Sequence, residues 1–135
     1  MKELSLEIIK GIDSSPVYDL AIKTPLQKAN ALSLRLKNEI LFKREDLQPV
    51  FSFKLRGAYQ KMISLSPSKR LKGVIAVSAG NHAQGVALGA RELGIRATIV
   101  MPVTTPEIKV NAVKTYGAQI ILYGDNYDDA LGHCR

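Results

Sequence analysis

The sequence predicts an α/β fold, an open, mainly parallel, twisted sheet with helices flanking it. Three observations carry that prediction. Short apolar runs of strand length recur from Gly73 onward, at Val74–Val77, Ala97–Met101 and Gln119–Tyr123. Each is followed by a turn and then a helical pattern: SAGN before His82–Leu93, Thr105-Pro106 before a helix to about Tyr116, and Gly124-Asp125-Asn126 before a helix opening near Tyr127. The connections are short, and β-α-β-α-β with short crossovers specifies a parallel, right-handed sheet. The last helix has only a few residues before Leu-Gly-His-Cys-Arg closes the chain, short of the roughly ten residues of an ordinary helix. The pattern therefore reads as truncated.

Taken in order, residues 3–12 have Leu4, Ile8 and Ile12 at four-residue spacing, the mark of a short amphipathic helix. Ser14-Ser15-Pro16 ends it. Thr24-Pro25-Leu26 is extended or turning, because a residue before proline avoids the α region. Ala29–Leu36 is predicted helical with Leu32 and Leu36 inward, and Ile40–Phe42 is a short strand. A turn over Gln48-Pro49 precedes a helix opening at Ser52 and running to about Leu65, with Leu55, Tyr59 and Met62 on its inner face. Ser66-Pro67-Ser68 is a loop or the start of a helical turn. Val74–Val77 reads as a buried strand. Gly94 stops one helix, and Thr105 is placed as the N-cap of the next, with Pro106 at its first position.

Composition bounds the function classes. A chain of 135 residues that is 46% hydrophobic can build one real core. Its one cysteine, Cys134, cannot form an internal disulfide, and the acid-containing N-terminus is no signal peptide, so a cytoplasmic location is expected. No run approaches membrane-spanning length. The net charge is +7, and the window from Arg35 to Lys72 holds ten Lys/Arg against three Asp/Glu. Such a window fits nucleic acid, an anionic cofactor or simple solubility. No nucleic-acid motif accompanies it, so nucleic acid ranks last. Two histidines and one cysteine argue against a structural zinc site.

Two stretches carry chemistry. In the first, Ser52 caps a helix and puts Lys54 in its opening turn. The helix dipole there favours an acid, so a lysine is unusual. Lys43, Arg44 and Arg56 add to the positive field if the fold brings them close. Both effects disfavour the ammonium form, and a neutral amine is what a Schiff-base lysine needs. The ordinary alternative is a solvated lysine on an exposed helix start. In the second, Ser78-Ala79-Gly80-Asn81-His82 falls at the carboxyl end of the first strand of the parallel sheet, where open α/β sheets bind ligands. Free N–H groups at the helix start form an anion pocket, and Asn81 offers a donor and an acceptor. His82 is more simply a donor or cap than a catalyst. The alternative is an ordinary strand-to-helix loop. Gly80, Gly85 and Gly89 do not have dinucleotide-binding spacing, and the phosphate-loop and acyl-transfer patterns are missing.

Together, KREDLQPVFSFKLRGA from Lys43 and SAGNHAQGVA from Ser78 resemble the threonine dehydratase (threonine ammonia-lyase) family. Its members are pyridoxal-phosphate enzymes of the tryptophan-synthase-β-like fold, also called fold type II. The resemblance runs from Thr24 to the Gly124 turn, and its wording is closer to the biosynthetic type of isoleucine synthesis than to the catabolic type. It implies pyridoxal 5'-phosphate as cofactor and L-threonine as substrate, with L-serine as a second possibility. Lys54 matches the lysine that holds the cofactor covalently and moves the α-proton. Phe53 matches the aromatic residue packed beside the pyridine ring. Asn81 matches the asparagine that hydrogen-bonds the 3-hydroxyl. Ser78, Ala79, Gly80, Asn81 and His82 match the loop whose N–H groups grip the substrate carboxylate. Ala79 stands where related serine racemases carry a hydroxyl, which implies elimination without racemisation. The Asn81-His82 pair also departs from the Asn-Thr-Gly of cysteine-synthase relatives.

The resemblance also implies a division of the chain. Residues 1–45 match an N-terminal arm that joins the larger catalytic domain, and residues 46–135 match most of the smaller α/β domain. The family's glycine-rich phosphate cup, the residue facing the pyridine nitrogen and the isoleucine-sensing domain have no counterpart in these residues. The chain alone is therefore expected to bind the cofactor poorly and to be inactive, and the full-length family to form homo-oligomers. The remaining alternatives are a serine dehydratase or racemase, a non-catalytic basic α/β binding module, and a functionless remnant of a split gene.

Overall fold

The computed structural model describes residues 2–134. Helix α1 (Lys2–Asp13) opens the chain. Strand β1 (Leu26–Lys28), helix α2 (Asn30–Leu36) and strand β2 (Leu41–Lys43) follow, and β1 and β2 pair antiparallel as a two-stranded sheet. Then come α3 (Lys54–Ile63), α4 (Pro67–Lys72), β3 (Val74–Val77), α5 (Asn81–Glu92), β4 (Ala97–Met101), α6 (Glu107–Lys114), β5 (Gln119–Leu122) and α7 (Tyr127–His133). Strands β3, β4 and β5 form a parallel sheet in that order, with Val77 beside Val100 and Met101 beside Leu122. The expected β-α-β-α-β unit is thus present. Among the described residues, no helix is long and apolar enough to cross a membrane.

The core lies where the central strand meets its helices. Ile99, Val100 and Met101 of β4 are fully buried, because β4 has a strand on each side and helices on its faces. Ala83, Val86, Ala87 and Ala90 of α5 pack into the same cluster, together with Val110 and Val113 of α6. Small alanines let α5 lie close to the sheet. Gly94 takes φ +63°, and the Ile95 N–H reaches back to the Ala90 carbonyl at 2.8 Å, which closes α5 with a left-handed cap. Asn126 caps α7 through its side-chain oxygen, which accepts from the Asp128 and Asp129 N–H groups.

Several expectations are corrected. Val74–Val77 is only half buried, and Ile75 is 57% exposed, because β3 is paired on one side alone. Leu36 is exposed, and the buried residue of α2 is Ser33, whose hydroxyl accepts from the Ile40 N–H. A short polar residue here ties the helix to the next strand, so the apolar spacing misled. In α1 the side chains of Ile8 and Ile12 are exposed, and that of Leu4 lies outside the described residues. Helix α6 begins one residue late. Pro106, with ψ 135°, takes the cap position, and the Thr105 hydroxyl is buried without a partner. Helix α3 opens at Lys54 rather than Ser52 and ends at Ile63, but Leu55, Tyr59 and Met62 form its buried face as expected.

Helices α3 and α5 pack side by side, and two glycines set how closely. A Cβ built on Gly85 would lie 3.2 Å from the Leu55 Cα, the Leu55 nitrogen and the Lys54 carbonyl carbon. One built on Gly89 would strike Met62 Cε at 2.6 Å. The Met62 tip can swing away, but the backbone at Leu55 cannot. Gly85→Val is therefore expected to destabilise the chain by about 2–3 kcal/mol in urea unfolding, through overpacking. Gly57, on α3, has nothing within 4 Å of its Cβ position, and Gly57→Ala is expected to stabilise by about 0.5–1 kcal/mol in the same measurement.

Candidate functional site

Residues 45–54 lead into the site as a folded strap rather than a loose turn. Phe51 donates its N–H to the Gln48 carbonyl at 2.7 Å and holds φ +55°, a conformation that costs a non-glycine residue about 1–3 kcal/mol. Ser52 is buried, and its Oγ accepts the Lys54 N–H at 3.1 Å. The hydroxyl thus does the capping work expected of it, although the helix starts two residues on. Lys54 stands as the first residue of α3, exposed, with its Nζ 5.1 Å from the centre of the exposed Phe53 ring.

Opposite lies the loop between β3 and α5. Ser78 continues the sheet, donating its N–H to the Val100 carbonyl, and the Gly80 N–H reaches the Ser78 hydroxyl at 3.3 Å. Asn81 and His82 open α5 and are solvent-accessible. Gly85 lies one turn further along α5 and presses against the backbone of Lys54 and Leu55, so the two helix starts are brought together. Partial burial of the His82 imidazole pushes its pKa below the ordinary value, and the nearby Lys54 charge pushes it the same way. A groove of about 440 Å³ opens between α3 and the free side of β3, lined by Gly57, Lys61, Met62, Ile75 and His82 among others. Of the residues singled out from sequence, His82 alone lines it.

The three cations expected to add to the field at Lys54 have other commitments. Arg44 forms a two-bond pair with Asp46. Lys43 donates to the Thr24 carbonyl. Arg56 grips both oxygens of Glu45, at 2.8 and 2.9 Å, and also donates to the Ile22 carbonyl. The same carboxylate accepts from the buried Thr24 hydroxyl and from the Gln48 amide. Gln48 is 1% exposed and exchanges two hydrogen bonds with the Ile22 backbone. Sequence reasoning missed this network. Its partners come from three separate segments, and no local spacing links them. It also missed the role of Gly85 and Gly89, although their four-residue spacing in GVALG is the mark of a close helix approach.

The residues present suit an aldehyde cofactor with an aromatic ring and a phenolic oxygen. They supply a primary amine, a flat aromatic face beside it and a primary amide on the facing loop. A profile of pyridoxal-phosphate dependent enzymes matches residues 17–135, and the chain belongs to that family. It is 58% identical over 131 residues to the biosynthetic, chloroplastic threonine dehydratase of Arabidopsis thaliana, covering 97% of this chain and 22% of the relative. It is 57% identical to the biosynthetic L-threonine dehydratase of Pasteurella multocida, covering 92% of this chain and 24% of that one. The processed form of threonine deaminase isoform 2 from Solanum lycopersicum superposes with a TM-score of 0.94 at 51% identity, over 98% of this chain and 39% of its own. The chain thus spans under a quarter of the length of these curated relatives.

Glu45 ties acid stability to this network. The Arg56 guanidinium holds its pKa at about 2, helped by Thr24 and Gln48, against an ordinary value of 4.5. The carboxylate form is the one favoured by folding, so its contribution is complete above about pH 4.5 and is lost as the pH falls toward 2. Glu45→Gln is expected to cost about 2–3 kcal/mol at pH 7 in urea unfolding, with the difference from the parent chain shrinking below pH 4.

Proposed function

We propose that this chain is the N-terminal part of a pyridoxal-phosphate enzyme that converts L-threonine to 2-oxobutanoate and ammonia, the water lost in β-elimination being taken up again on hydrolysis, as the first step of isoleucine biosynthesis. The observation that carries the reading is that Gly85, one turn into α5 from the loop Ser78–His82, lies against the backbone of Lys54 and Leu55. When bound, pyridoxal phosphate supplies an electron sink for the pair left by α-proton removal. Lys54 would hold it covalently through Nζ and would take the substrate's α-proton at the same atom. Phe53 would offer its ring face to the pyridine, and Asn81 would hydrogen-bond the 3-hydroxyl through its amide. The loop Ser78–His82, at the positive end of α5, binds the substrate carboxylate through the N–H groups of Ala79, Asn81 and His82, while the Ser78 N–H is held by the Val100 carbonyl and the Gly80 N–H by the Ser78 hydroxyl. Ala79 has no proton to give or take, which supports elimination without racemisation.

On this reading residues 1–45 serve as the arm of the larger domain and 46–135 as most of the smaller one. The separate β1–β2 sheet supports that division. L-Serine is the smaller alternative substrate, the full-length protein is a homo-oligomer, and no nucleic acid is bound. A cytoplasmic location is supported by the lone cysteine, while the Arabidopsis relative is chloroplastic by name.

A polypeptide extended to the length of the relatives is expected to release 2-oxobutanoate from L-threonine. Lys54→Ala should lower the rate by at least about 10³-fold, as loss of a covalent and proton-transferring group does. The 135-residue chain alone should bind the cofactor weakly and show no turnover. Retained activity in Lys54→Ala would overturn the assignment.

A further inference from the structure

The Glu45 network has a position that its stability alone does not explain. All four hydrogen bonds to the carboxylate are made: Arg56 Nε at 2.8 Å and Gln48 Nε2 at 3.2 Å on one oxygen, Arg56 Nη2 at 2.9 Å and Thr24 Oγ1 at 2.5 Å on the other. Arg56 and Lys54 share the first turn of α3. A guanidinium held by two parallel bonds is fixed in rotation as well as in distance, which a single bond does not achieve. Gln48 and Arg56 both also bond the Ile22 backbone, so the fork is anchored to the N-terminal arm rather than to α3 alone. On the other side of the same turn, Gly85 blocks movement toward α5.

We propose that the bidentate Glu45–Arg56 pair, braced by Gln48 and Thr24, is the positioning device for Lys54. It sets the rotation of the first turn of α3, whose backbone lies against Gly85 of α5, and so the direction in which the Lys54 side chain leaves the helix. Glu45 and Arg56 touch neither substrate nor cofactor and act through the helix start. The proposal rests on the role given to Lys54 above. It predicts that loosening the fork moves the amine away from His82 even where the fold survives.

The test is the titration of His82 by proton NMR in the 135-residue chain without cofactor, with His133 on α7 as internal reference. Lys54→Met removes the neighbouring charge and should raise the His82 midpoint by roughly 0.3–0.5 pH unit, as expected of one partly screened charge. Glu45→Gln and Arg56→Lys should each reproduce at least half of that rise, with His133 unmoved and far-UV circular dichroism unchanged. Arg56→Lys keeps the charge and loses only the fork. Glu45→Gln removes a negative charge, which by itself would lower the midpoint, so a rise in either variant reports position. A His82 midpoint equal to the parent's in folded Arg56→Lys overturns the proposal. Should Glu45→Gln unfold, Arg56→Lys and Thr24→Val carry the same comparison. Because the titration needs no cofactor, its failure and a failure of threonine turnover are separate results.

Discussion

Backbone meets backbone where Gly85 of α5 lies against Lys54 and Leu55 of α3, so closely that even a Cβ would stand 3.2 Å from backbone atoms. The arrangement of the site follows from that contact. A parallel sheet delivers the loop after β3 to its carboxyl edge, but nothing in the sheet itself delivers Lys54 there. The amine arrives because α3 packs on α5 through a glycine, in register with the turn that opens α5. The alanines on the remaining face of α5 let the same helix lie flat on β4. One small-residue helix thus holds the core on one side and the start of α3 on the other.

The electrostatics of the region depend on the same packing. Two cations near the site are neutralised locally, Arg44 by Asp46 and Arg56 by Glu45. Among the described residues Lys54 has no carboxylate partner, and its charge is felt at His82. An amine without a salt-bridge partner suits the covalent role proposed for Lys54. A salt-bridged lysine would have to break its pair first.

The regular elements were legible in the sequence because their signals are local. Val74–Val77 and Ala97–Met101 announce strands by their apolar content, and Gly94 announces a helix end by its freedom to take φ +63°. Ser52 was legible as a cap through its side-chain chemistry. The errors fall where tertiary context overrides local pattern. Ile75 is exposed because β3 lacks a second neighbour, and Leu36 is exposed because Ser33 takes the inward place. The buried Gln48 looked like an ordinary turn residue, since its partners at Ile22 lie far along the chain. The positive φ of Phe51 had no signal at all, because a phenylalanine does not advertise a left-handed backbone. Lys54 and the Ser78–His82 loop were singled out by the chemistry of their helix starts, and Phe53 by motif resemblance alone. Their proximity could be known only from the fold.

The most direct measurement is the nuclear Overhauser contact between the Gly85 α-protons and the amide proton of Leu55 in the assigned spectrum of the chain. The account requires a strong cross-peak, comparable to that of neighbours within one helix. Assigned resonances with no cross-peak between them would mean that α3 and α5 do not meet there, and the placement of Lys54 opposite the Gly80 turn would fall with it.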